Sequence, residues 1–125
     1  MSELRRLDRP TKRILIAGGG NIGERLANAT QGRYNVKIIE ANEARAKTLG
    51  ARLTDTLVLI GDAADENLLA SEGIDDMDFF LALTNDDENN ILISLLAKGL
   101  GARRVLALIN RRVYVDLVQA DRIDI

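Results

Sequence analysis

This 125-residue sequence contains neither cysteine nor histidine. Without cysteine there is no disulfide, no thiol nucleophile and no cysteine-ligated metal, a usage that suits a reducing compartment. Without histidine the chain lacks the commonest general acid/base and the commonest transition-metal ligand. The remaining catalytic inventory is thin: Tyr34 and Tyr114 are the only tyrosines, neither stands in a Tyr-x-x-x-Lys arrangement, and Lys98 has no partner by spacing. The net charge of −2, with both signs well mixed, gives no electrostatic footprint for nucleic acid. No apolar run approaches the roughly 20 residues of a membrane-spanning helix, and the first residues carry no signal-peptide core, so the expectation is a soluble chain.

What is present is an alternation of short β-rich apolar runs with helical patterns, the signature of βαβ units around a parallel sheet. Strands are expected near Arg13 to Ala17, Val36 to Ile39, Leu57 to Ile60, Asp78 to Leu83 and Arg104 to Ile109. The first helix runs from about Asn21 to Thr30 with Ile22, Leu26 and Ala29 on one face. The second starts after Asn42, an N-cap, and stops near Gly50; a short one near Glu66 to Glu72 ends at Gly73. In the fourth, Asn85 and Glu88 form a capping-box pattern, and Ile91, Leu92, Leu95 and Leu96 supply the buried stripe. A last helix covers Arg112 to Gln119, and Ile123-Asp124-Ile125 opens a truncated sixth strand, which points to a longer polypeptide. Residues 1–12, charged and holding the sole proline, read as a linker; 13–125 read as one α/β domain. Right-handed connections then give a doubly wound, Rossmann-like parallel sheet of order 3-2-1-4-5.

The most informative stretch is Ile14-Leu15-Ile16-Ala17-Gly18-Gly19-Gly20-Asn21-Ile22-Gly23, a strand followed by G-x-G-x-x-G and a helix start. Gly18 permits the tight turn, Gly20 removes a side chain that would block a pyrophosphate, and Gly23 lets the helix approach the sheet. The helix aims unpaired N–H groups at the phosphates. Glu40 closes the second strand about 20 residues on, where a carboxylate accepts from both hydroxyls of an adenosine ribose and repels a 2′-phosphate. NAD(H) or a plain adenine nucleotide is therefore favoured over NADP(H). Asp62, in the turn Gly61-Asp62-Ala63, either accepts from the adenine amine or caps the short helix. Arg45 stacks on adenine or reaches a phosphate, or is an ordinary surface arginine. Thr84, Asn85 and Glu88 combine helix capping with a position facing the second half of a dinucleotide. The acidic run there lacks calcium-loop spacing, so no metal site is expected.

With Glu40, Gly61-Asp62-Ala63, Leu83-Thr84-Asn85-Asp86-Asp87-Glu88-Asn89-Asn90, Ala97-Lys98 and Tyr114-Val115-Asp116-Leu117-Val118, the glycine turn makes the chain from Lys12 to Ile125 resemble the nucleotide-binding N-domain of the RCK/KTN family, regulatory domains of potassium channels and transporters. The likeness is to the second such domain of the peripheral cytoplasmic subunit of bacterial Trk potassium uptake, with the charged segment as the linker from the domain before it. The resemblance implies a non-catalytic domain at the inner face of the cell membrane that binds NAD(H) or ATP/ADP. It places Gly18, Gly20, Asn21, Ile22 and Gly23 at the phosphates, Glu40 at the ribose, Asp62 and Ala63 beside the base, and Thr84 with Asn85 near the distal part. It implies as partners a membrane potassium transporter subunit and like domains, paired through the fourth and fifth helices into a dimer or tetrameric ring. The alternative reading is the dinucleotide-binding fragment of an NAD-dependent dehydrogenase, with its substrate domain downstream.

Overall fold

The computed structural model describes residues 12–109. The expected linker of 1–12, apart from Lys12, and the helix and truncated sixth strand expected after Ile109 lie outside the described residues. Within them the elements are β1 (Arg13–Ala17), α1 (Asn21–Thr30), β2 (Asn35–Glu40), α2 (Glu43–Arg52), β3 (Thr56–Ile60), α3 (Glu66–Ser71), a 3-10 turn (Ile74–Asp76), β4 (Phe79–Ala82), α4 (Asp87–Gly99) and β5 (Arg104–Ala107). All strand pairs are parallel and the spatial order is β3-β2-β1-β4-β5, the expected 3-2-1-4-5.

β1 lies at the centre, pairing Ile16 with Ile38 on one side and Leu81 on the other. A strand buried on both faces reads as a continuous apolar run, which is why Ile14, Leu15, Ile16 and Ala17 are all buried. Alternation divides them between two cores. Ile14 and Ile16 pack with Ile38, with Ala27 of α1 and with Leu49 of α2, whereas Leu15 and Ala17 pack with Phe80, with Leu69 of α3 and with Ile93 of α4. Helices α1 and α2 thus cover one face and α3 and α4 the other. The change of face occurs between β3 and β4, and it leaves a crevice between the loops that follow β1 and β4.

Three helix expectations need correction. α1 buries Gly23 and Ala27, while Ile22 is 52% exposed and Ala29 is also exposed; small residues let this helix sit close on the sheet. α2 continues through Gly50 to Arg52, because Gly50 adopts no left-handed turn that would end it. α4 is capped by Asp86, not Asn85: the Asp86 carboxylate accepts from Asn89 N at 3.1 Å. Its buried positions are Asp87, Asn90, Ile93, Ser94 and Ala97, and Leu92 and Leu95 point outward at 59% and 39% exposure. β4 and β5 also stop short of Leu83 and Ile109, at Ala82 and Ala107. The Asp78 carboxylate, just before β4, accepts from Arg13 N at 2.8 Å and so ties the start of β1 to the start of β4.

Candidate functional site

β1 delivers the chain into the glycine turn, and each glycine there has its own cause. Gly18 has φ +109°, and a Cβ on it would lie 2.9 Å from the Leu83 carbonyl carbon and from Thr84 N. A Cβ on Gly23 would lie 2.2 Å from the Gly18 carbonyl oxygen, so this glycine lets α1 close over the turn; it sits beneath the crevice rather than in its wall. A Cβ on Gly20 would meet nothing within 4 Å and would project into open space. Gly19, an unspecified position of the motif, is less constrained: its Cβ would press on the end of the buried Leu49 side chain, which must shift, instead of on backbone. The motif carries no signal for that contact.

Gly20 is the N-cap of α1, in extended conformation, and no side chain caps the helix there. The other three described α-helices are capped by Asn42, Asp65 and Asp86 respectively. The first-turn N–H groups of α1 have no intrahelical partner and carry the positive end of the helix dipole. An open helix N-terminus beside a glycine with no side chain is a place built for an anion to approach backbone.

Glu40, half-buried at the end of β2, stands against this turn. Its Oε1 accepts from Gly19 N at 2.6 Å and its Oε2 from Asn42 N at 2.8 Å. It therefore fastens the loop after β1 to the loop after β2, and a second lone pair on each oxygen can accept from a further donor. Arg45 is not a free surface arginine. Its Nε donates to Gly19 O at 2.6 Å and its Nη2 to Glu24 Oε1 at 2.8 Å, so the Gly19 peptide is held at both ends. Glu24, which sequence reasoning missed, also accepts from Arg52 Nη1 at 3.1 Å. The bond from Arg52, and then that from Arg45, hold its carboxyl below the ordinary value, against an opposing pull from burial.

The other expected residues divide. Asp62 closes an Asx turn, accepting from Ala64 N at 2.9 Å; the cap of α3 is Asp65, so Asp62 does not cap that helix. Ala63 is buried below it. Across the crevice lie Thr84, Asn85, Asp86, Asn89 and Leu108. Glu88 is exposed and stands outside the wall, because capping from Asp86 sets the helix phase so that Asn89 faces inward instead. Asn90, fully buried, holds this side together: Oδ1 accepts from Thr84 N at 3.0 Å, and Nδ2 donates to Thr84 O and Leu108 O, each at 2.9 Å. The resulting cavity, about 840 Å³, runs from Glu40 and Asp62 past the turn to Thr84 and Asn89. That size falls within the range of small-molecule and cofactor sites. Among the described residues no group of three or more acidic, histidine or cysteine side chains is placed to hold a metal ion.

A parallel sheet of this order, with a glycine turn and an open helix N-terminus at the switch point and an acid ending the second strand, defines a doubly wound, Rossmann-type α/β domain. The chain belongs to the TrkA-N domain family, whose model matches residues 14–125. It is 54% identical, over its full length and 27% of the relative's, to the Trk system potassium uptake protein TrkA of Vibrio alginolyticus. The chain thus spans about a quarter of the length of the curated relatives it matches. Among solved structures it superposes on the GsuK channel bound to NAD with a TM-score of 0.76 at 22% identity, over 93% of this chain and 23% of that one. It also superposes on GsuK bound to ADP with a TM-score of 0.74 at 21% identity, over 95% and 34%. At those identities the structural likeness establishes the fold.

Proposed function

We propose that this domain is a non-catalytic nucleotide sensor of a Trk-type potassium uptake system, binding NAD(H) or ATP/ADP at the crevice. The observation that carries the reading is the uncapped N-terminus of α1 at Gly20, open to the cavity and flanked by Glu40. The phosphates take the free amides of α1, the adenosine ribose takes Glu40, the base lies by Asp62 and Ala63, and the distal part faces Thr84 and Asn85. Gly18 and Gly23 shape the turn, Asn21 and Ile22 offer backbone amides, and Arg45 braces the loop. Membership of the TrkA-N domain family, with relatives named for potassium uptake, favours sensing over a dehydrogenase fragment. Potassium uptake enters through relatives that carry that name, of whose length this chain matches about a quarter.

In this reading the domain is the second such unit of a cytoplasmic peripheral subunit, preceded by the linker of residues 1–12. It assembles with like domains and passes occupancy to a membrane potassium transporter subunit. A nucleotide has that effect only when it binds one arrangement of the assembly better than another. Among the described residues no helix is long and apolar enough to cross a membrane. Calorimetric titration with NADH, NAD⁺, ADP, ATP and NADPH tests the site. Binding of at least one nucleotide with a free ribose diol is expected, weakened about tenfold by Glu40→Ala through loss of charge-assisted bonds. NADPH binding as tight as NADH would remove the ribose argument.

A further inference from the structure

We infer that Arg45 is a positioning residue for the phosphate site: it touches no ligand itself, but by holding the Gly19 carbonyl it fixes the direction in which the Gly20 N–H is offered to a pyrophosphate. The inference rests on the nucleotide-binding reading above and assigns Arg45 to the phosphate end of that ligand, not to its base. Gly18, Gly19 and Gly20 follow one another, and glycine has the least restricted backbone of any residue. A turn of three glycines has to be ordered from outside itself.

Two side chains do this. The Gly19 N–H donates to Glu40 Oε1 and Gly19 O accepts from Arg45 Nε, each at 2.6 Å. The first bond holds the peptide plane between Gly18 and Gly19, and the second holds the plane between Gly19 and Gly20. No described peptide is cis, so the Gly20 N–H points opposite to the Gly19 carbonyl, away from the Arg45 guanidinium. No acceptor among the described residues takes that N–H, and Gly20 lines the crevice. It joins the unpaired first-turn amides of α1 as a donor. Arg45 is anchored in turn: its own N–H donates to Asn42 Oδ1 and its Nη2 to Glu24 Oε1, each at 2.8 Å, and Arg52 holds Glu24 as well. The planar guanidinium spans Gly19 O and Glu24 in a fixed fork. Without that fork the Gly19–Gly20 peptide turns freely in the unliganded protein, and a phosphate has to order it on binding.

Nitrogen-15 NMR of the 125-residue chain, titrated in EDTA with adenosine and with ADP, provides the test. In the ligand-free wild type the Gly20 amide is expected to be rigid, with an order parameter of about 0.85. In Arg45→Met that value is expected to fall below about 0.6, with ADP binding about tenfold more weakly and adenosine within about twofold. Tenfold is the cost of ordering about one residue's backbone, expressed as an affinity. Arg45→Lys, a second variant should Arg45→Met fold poorly, keeps the charge but cannot span Gly19 O and Glu24 with one ammonium, and is expected to lose at least about threefold for ADP. Equal losses for adenosine and ADP would place Arg45 at the base or in general support of the fold. Full ADP affinity in Arg45→Lys would show its charge acting on the phosphate directly. A mobile Gly20 amide in the wild type, or a rigid one or undiminished ADP binding in folded Arg45→Met, would show that the turn has no such clamp. Each of these results overturns the proposal. Failure of the wild type to bind ADP would instead remove the nucleotide reading, and this inference with it.

Discussion

Truncating Asn90 to alanine tests how the distal wall is held. The side chain is fully buried, and its amide bonds Thr84 N, Thr84 Oγ1, Thr84 O and Leu108 O at 2.5 to 3.0 Å. The alanine variant strands one backbone N–H and two carbonyls, while the Thr84 hydroxyl can turn toward solvent. At about 1 to 3 kcal/mol for each stranded buried group, with the carbonyls at the low end, the loss comes to about 3 to 5 kcal/mol. The better helix propensity of alanine returns about 0.5 kcal/mol. A net loss of about 3 to 4 kcal/mol is a large share of the roughly 5 to 15 kcal/mol that holds a domain folded. Urea unfolding followed by circular dichroism should show the midpoint falling by about 1.5 to 2 M, given a slope of roughly 2 kcal/mol per M. A loss below about 1 kcal/mol would mean that water or loop rearrangement satisfies Thr84 and Leu108, and that Asn90 does not build the wall.

Gly23→Ala puts a methyl group against the Gly18 carbonyl, where the ideal Cβ lies 2.2 Å from the oxygen. α1 must lift from the turn, and a stability loss of about 2 to 3 kcal/mol is expected in thermal melts; a wild-type melting temperature would show the contact to be soft. Glu24 gives a pH signature, since the neighbouring arginines hold its carboxyl below its ordinary value of 4.5. Its ionised form therefore stabilises the fold above that value, and the contribution is lost as the pH falls through the lower folded value. Glu24→Gln should flatten the acid limb of the stability profile below about pH 4.5, and superimposable wild-type and variant limbs would contradict the pairing.

Much of the site was legible because its causes are local. The run from Arg13 to Thr30 reads directly as strand, turn and helix, and β1 and α1 have those bounds. Asn42 caps α2 as its residue type predicts, through a 2.8 Å bond from Arg45 N. What escaped depends on partners distant in sequence. Glu24 and Arg45 stand 21 residues apart on different helices, with no spacing rule to join them. Apolar periodicity placed Leu92 and Leu95 inside α4, yet the buried face carries Asn90, Ser94 and Ala97. Periodicity registers apolarity alone: an asparagine is admitted to the interior by the backbone groups of Thr84 and Leu108 that satisfy it, and small residues by the closeness of approach they allow.

The four described α-helices do not treat their beginnings alike: three close themselves with a side chain and α1 does not. Among the described α-helices α1 alone begins without a side-chain acceptor, and whatever anion supplies the missing acceptors becomes, in effect, a removable part of the hydrogen-bonded framework. A fold that finished itself at Gly20 would be indifferent to its surroundings. Leaving that single end open ties a share of its rigidity to the composition of the solution around it, and confines the dependence to the strip where α1, the loop after β2 and the loop after β4 meet.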